Sequence, residues 1–145
     1  MTRWHLSHRF DPAGCALADR HYNRRAIGSP QFVPPGRCHV LLTAEADALW
    51  VTSWPFAEYV RHAWPGAWVC SIFRNESPRL SSDIVLEAEA AAFEKWGPNR
   101  LYTYVAPDKI RSVNPGYCFK VAGWKYVRLS ASGQHLLSKH DELAR

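Results

Sequence analysis

A polar stretch, Arg74-Asn75-Glu76-Ser77-Pro78-Arg79-Leu80, separates a dense apolar run from a long amphipathic segment that begins near Ser82. The run at residues 67–73 has the composition of a buried strand and the segment at residues 82–96 that of a helix. The stretch therefore joins a strand end to a helix N-terminus, where unpaired backbone N–H groups and the positive end of the helix dipole favour a phosphate or a carboxylate. Arg74 and Arg79 add charge there, and Ser81 and Ser82 can orient a donor or cap the helix. The same residues suit an ordinary strand-to-helix turn with solvated arginines equally well. Neither the phosphate-cradling P-loop nor the G-x-G-x-x-G fingerprint occurs, so nucleotide hydrolysis and dinucleotide binding have no support. Cys15, Cys38, Cys70 and Cys118 stand apart with no C-x-x-C pair, which excludes a zinc ribbon and a dithiol redox motif. Reduced, mostly buried thiols are expected.

The elements that must position these residues come from one chain of 145 residues, 47% apolar, 13% aromatic and 21% charged, the profile of a single compact domain. No apolar run approaches the roughly 18–20 residues of a membrane-spanning helix, so no membrane partner is expected. Met1-Thr2-Arg3-Trp4-His5 carries charge where a secretory signal is apolar, which makes the cytoplasm the expected compartment. Lys plus Arg number 18 against 13 Asp plus Glu, a net charge of +5 that is compatible with an anionic partner.

Asp11 as cap, Pro12 in the first turn and Ala13, Leu17, Ala18 and Tyr22 near one face predict a helix over residues 11–24, with His21 and Tyr22 near its C-terminal end. Residues 38–44 and 49–54 read as a hairpin around the acidic turn Glu45-Ala46-Asp47, and residues 56–64 as a short helix or lid. After the apolar strand at 67–73, the helix at 82–96 has Asp83 at its positive end and is stopped by Gly97-Pro98. A strand at 101–105, a short helix at 117–122 and a strand at 125–129 follow. This alternation predicts an α/β fold, a mixed central β-sheet with helices on both faces.

The stretch Asn114-Pro115-Gly116-Tyr117-Cys118-Phe119-Lys120-Val121-Ala122-Gly123-Trp124, with its aromatic, Gly, aromatic ending after a strand, resembles the GNAT acyltransferase superfamily. The likeness runs in order over residues 40–129 and implies a GNAT-like single domain. Acetyl-CoA users of that superfamily carry a glycine-rich pyrophosphate loop between the fourth strand and its helix. Residues 74–82 contain no glycine, which argues against acetyl-CoA as the cofactor. A narrower resemblance covers His21-Tyr22-Asn23-Arg24-Arg25, Ser29-Pro30-Gln31-Phe32-Val33-Pro34-Pro35-Gly36, residues 68–76 and residues 108–124. These are similar to the phage Mom-type DNA modification proteins, which convert adenine N6 in DNA to a carbamoylmethyl form and so protect phage DNA from restriction.

That resemblance implies an iron site on His21, Tyr22 and Asp108, since imidazole, phenolate and carboxylate are suitable ligands that leave positions open for donor or water. The same three residues are expected at the reacting centre with Tyr117, to which the GNAT resemblance gives the role of general acid toward the leaving group. On their own, His21 suits the end of its helix, Asp108 a turn cap and Tyr117 core packing. Double-stranded DNA is the implied partner, with Arg24, Arg25, Arg37, Lys109 and Arg111 on phosphates and Trp54 or Trp64 stacking on a flipped base. The group donor and the oligomeric state, a homodimer included, are left open. The other two functions compatible with the residues are an acetyl-CoA-dependent N-acyltransferase acting on a small amine or protein and a non-catalytic nucleic-acid-binding module.

Overall fold

The structure, a computed structural model, describes residues 4–21, 29–30, 32–33, 36–55, 67–97, 100–107 and 116–140. Among the described residues ten elements occur in the order β1 (Trp4–Leu6), α1 (Pro12–Asp19), β2 (Gly36–Thr43), β3 (Ala48–Pro55), β4 (Trp68–Asn75), α2 (Ser81–Trp96), β5 (Arg100–Val105), α3 (Tyr117–Val121), β6 (Lys125–Leu129) and β7 (His135–His140). The strands form one mixed sheet in the order β1-β2-β3-β4-β5-β7-β6. Two compact units divide the chain, residues up to 66 with 70–78 and residues 67–69 with 79 onward. No described helix is long and apolar enough to cross a membrane.

In the first unit, Asp11 caps α1 by accepting the Ala13 N–H at 2.9 Å, and Pro12 occupies the first turn, as the sequence predicts. The helix is shorter than expected. Its last bonds tighten to the i→i−3 type, Arg20 N–H to Leu17 O and His21 N–H to Ala18 O, and the Arg20 carbonyl is taken by Arg74 Nη1 at 2.9 Å. His21 thus lies just past the helix rather than in it. Leu17 and Ala18 pack with Phe32, Val33, Val40, Leu49, Val51 and Ile72. Gly14 allows this approach, because a Cβ there would stand 2.9 Å from Phe32 Cζ.

The hairpin registers with Val40 opposite Val51 and Leu42 opposite Leu49. Thr43 organises its turn: Oγ1 accepts the N–H groups of Asp47 and Ala48 at 3.0 and 3.1 Å and donates to Asp47 Oδ1 at 2.7 Å. Ala46 sits in the left-handed region at φ 56. β1, absent from the sequence expectation, pairs antiparallel with β2, Trp4 opposite Thr43.

In the second unit, β4 begins parallel to β5 at Trp68↔Leu101 and Val69↔Tyr102. Helix α2 buries Ile84, Val85, Ala88 and Ala92 at helical spacing, and Phe93 packs on Trp68 with ring centroids 6.3 Å apart. β7, the other unexpected strand, inserts between β5 and β6 and pairs antiparallel with both, with a register shift in β6 between Tyr126 and Arg128.

Candidate active site

The stretch between β4 and α2 is built differently from the sequence expectation. Arg74 and Glu76 do not project as a free cation and its neighbour. Glu76 accepts from Arg20 Nε at 2.6 Å, from Arg20 Nη2 at 3.0 Å and from Arg74 Nε at 2.9 Å. Arg20 first and Arg74 second hold the Glu76 carboxyl down to about 2. The cluster ties the end of α1 to the end of β4 within the first unit. Ser77 closes the strand exit by donating its N–H to Asn75 Oδ1 at 2.9 Å.

On the helix side, the N-cap is Leu80 and no side chain caps α2, so the expected Ser81 or Ser82 cap is corrected. Both serines lie inside the first turn, Ser82 buried, one and two positions too late for capping geometry. The N–H groups of Asp83 and Ile84 reach Leu80 O at 3.1 and 3.3 Å. Arg79 is engaged through both terminal nitrogens by the Glu87 carboxylate, at 3.3 Å from Nη1 to Oε1 and closer from Nη2 to Oε2. Both arginines expected to meet an anion are thus paired with carboxylates of the chain itself.

Tyr117 opens α3 immediately after Gly116, which is left-handed at φ 75. Its side chain is 60% exposed, so the core-packing alternative fails, and Phe119 is the residue of that helix that buries. The neighbouring Cys118 thiol is pushed up to about 11 by burial and is inert at neutral pH. His21 is half-buried beyond α1. Tyr22, Asp108, Arg24, Arg25, Lys109, Arg111, Trp64 and the segment at 56–64 lie outside the described residues. Arg37 is exposed and lies over the ring of Trp54, 5.8 Å from its centroid, which ties up the aromatic face expected to receive a base.

Sequence reasoning missed a polar cluster beneath α3. Glu89 is buried among the apolar residues of α2 and receives Trp124 Nε1 at 2.6 Å and the Lys139 ammonium. The signal was present: a carboxylate four residues from buried Val85 on an apolar helix face requires a partner.

No protein-family model matches the sequence, and no curated protein matches it. Solved structures do. An acetyltransferase from Thermus thermophilus superposes with a TM-score of 0.59 at 15% identity over 97% of this chain and 98% of the other. The aminoglycoside acetyltransferase AAC(6')-Ib in complex with coenzyme A and kanamycin gives 0.65 at 14% identity over 97% and 95%. Its complex with coenzyme A gives 0.64 at 14% identity over 99% and 96%. The fold is that of the GNAT acetyltransferases. At these identities the likeness is one of fold, and it extends over nearly the whole of each chain.

The cofactor expectation is corrected by these findings. Two of these structures hold coenzyme A, against the expectation that a glycine-free loop makes acetyl-CoA doubtful. Among the described residues no group of three His, Cys, Asp or Glu side chains could hold a metal, and the iron site expected on His21, Tyr22 and Asp108 has only His21 within them.

Proposed function

We propose that the protein is an N-acyltransferase that moves an acyl group from a coenzyme A thioester to an amine. The observation that carries this reading is the fold shared nearly end to end with coenzyme A-bound acetyltransferases. The α2 N-terminus fits the cofactor, having a long helix behind it and no side-chain cap in front of it. The backbone of Ser81 and Ser82 binds the diphosphate, while Arg79 stays on Glu87 as a charge-balanced pair. Acetyl-CoA supplies an activated acyl carbon to this arrangement. Tyr117, exposed at the start of α3, gives its phenolic proton to the departing sulfur while the attacking amine sheds a proton to solvent.

Calorimetric titration with coenzyme A tests the reading, followed by thiol release from acetyl-CoA against a panel of small amines, lysine peptides and adenine-containing DNA. Micromolar binding that is weakened at least tenfold by Ser81→Glu, which sets a carboxylate in the anion seat, is the expected result. Absence of binding by the folded protein overturns it.

A second reading is favoured by the ordered motifs from His21-Tyr22-Asn23-Arg24-Arg25 to Trp124: modification of adenine N6 in double-stranded DNA of the Mom type. Adenine N6 is itself an amine, so both readings share a nitrogen acceptor and differ in its size and in the donor. Arg24, Arg25, Arg37, Lys109 and Arg111 would then meet phosphates, and Asp108 and His21 would act at the flipped base. Mass spectrometry of nucleosides from cells expressing the protein, beside cells expressing Asp108→Ala, separates the readings. A modified deoxyadenosine seen only with the unaltered chain supports DNA modification, and unmodified DNA in both sinks it.

A further inference from the structure

The Glu89 carboxylate lies within the second unit, 5% exposed, where an unpaired charge would be strongly unfavourable. Its two oxygens divide their work. Oε2 accepts the indole N–H of Trp124 at 2.6 Å, and Oε1 accepts the Lys139 ammonium. Lys139 Nζ makes a second donation, at 2.7 Å, to the carbonyl of Ala122, the residue that caps the C-terminus of α3. Trp124 in turn stands edge-on to Phe119, with ring centroids 4.9 Å apart. The chain reverses between α3 and Trp124 through Gly123 at φ 101. A Cβ at Gly123 would stand 3.5 Å from Lys139 Nζ, so the reversal runs close beside the ammonium.

α3 spans five residues, too few to hold a helix direction unaided. The grip upon it comes from one side, through Phe119, Ala122 and the turn into Trp124. Tyr117 precedes Phe119 by two residues, which sets it on the opposite side of the helix, in agreement with its exposure. Apolar side chains of the same volume would fill the space beneath α3 equally well. They would not fix its rotation, whereas a carboxylate with two directed partners does.

We infer that Glu89 is a positioning residue: through Lys139 and Trp124 it fixes α3 and thereby aims the phenol of Tyr117. This inference rests on the proposed role of Tyr117 as proton donor. Acting through Tyr117, Glu89 affects turnover without touching the acyl donor, so kcat and not KM carries the effect.

The test is a double-mutant cycle of Glu89→Gln and Tyr117→Phe, read as kcat and KM for the amine that turns over, with hydrogen exchange of the α3 amides in the unliganded protein. Glu89→Gln is expected to lower kcat about tenfold with KM for acetyl-CoA within about twofold, and to lower kcat by less than about twofold when Tyr117 is already Phe. An equal fall in both backgrounds overturns the positioning role. Full kcat in Tyr117→Phe alone removes the proton-donor reading and the positioning role with it. Exchange decides the clamp independently of any activity. The amides of Lys120 and Ala122, bonded to Gly116 O at 3.0 Å and Cys118 O at 3.1 Å, exchange at least about tenfold faster in Glu89→Gln if the clamp holds α3. Unchanged exchange overturns it whether or not the protein transfers acyl groups. Trp124→Phe, which keeps an aromatic ring and removes the indole donor, gives the same readouts if Glu89→Gln does not fold.

Discussion

Arg20 and Glu76, 56 residues apart in sequence, meet in a two-pronged ion pair, Nε to Oε2 at 2.6 Å and Nη2 to Oε1 at 3.0 Å. The pair fastens the end of α1 to the exit of β4, and Arg74 completes it from the strand side. Glu76 is ionised in the folded state down to about 2, against 4.5 for an unperturbed glutamate. Its contribution to stability is therefore full above pH 4.5 and is lost as the pH falls toward 2. Solvent screens the partners, so the contribution is about 1 kcal/mol or less. Urea unfolding should show Glu76→Gln less stable than the parent at pH 7, the difference narrowing below pH 4.5 and closing only near pH 2. A gap independent of pH would contradict the pair.

Ala46 occupies the left-handed region at φ 56 in the hairpin turn, where an L side chain is strained. Ala46→Gly should raise stability by about 0.5–1 kcal/mol, the relief of that strain exceeding the extra freedom glycine gives the unfolded chain. Thermal unfolding checks it, and a lowered midpoint would refute the turn geometry.

Gly116 must satisfy two demands at once. It is left-handed at φ 75, and a Cβ built on it falls on Leu137 Cδ1. Gly116→Ala should cost about 2–4 kcal/mol in unfolding experiments, from backbone strain and overpacking together. A cost under about 0.5 kcal/mol would mean that α3 does not start where the structure starts it.

Burial raises the Cys118 thiol from 9.0 to about 11, two units, which lowers its thiolate fraction at pH 8 about a hundredfold. Site-resolved mass spectrometry after brief alkylation should find Cys118 modified about a hundredfold more slowly in the native protein than in urea. Equal rates would place the thiol in solvent.

The parts of the fold legible in the sequence were those with local signals. Asp11-Pro12 announced α1, and Glu45-Ala46-Asp47 announced the turn between β2 and β3. The apolar spacing of Ile84, Val85, Ala88 and Ala92 gave α2, and Gly123-Trp124 closed α3. β7 escaped because His135-Leu136-Leu137-Ser138-Lys139-His140 lacks strict alternation, and its place depends on two partners remote in sequence. The start of α2 shifted by one residue, enough to turn both serines from caps into first-turn residues. At the site, Tyr117 was legible as an aromatic in a recognisable segment. The engagement of Arg74 and Arg79 was not, because Glu76 and Glu87 become their partners only once the strand and helix have formed. Glu89 was legible as an anomaly and unreadable as a function, its partners lying 35 and 50 residues downstream.

The insertion of β7 between β5 and β6 has a bearing on synthesis. β6 leaves the ribosome before the strand that joins it to the sheet, so until His135–His140 emerges it has no β-partner and its exposed Tyr126, Val127 and Leu129 are without a sheet to belong to. The Glu89 carboxylate, made earlier still, waits for Lys139 over the same interval. The second unit thus completes its fold late, only once its last strand has paired with both β5 and β6 and brought Lys139 to the acid.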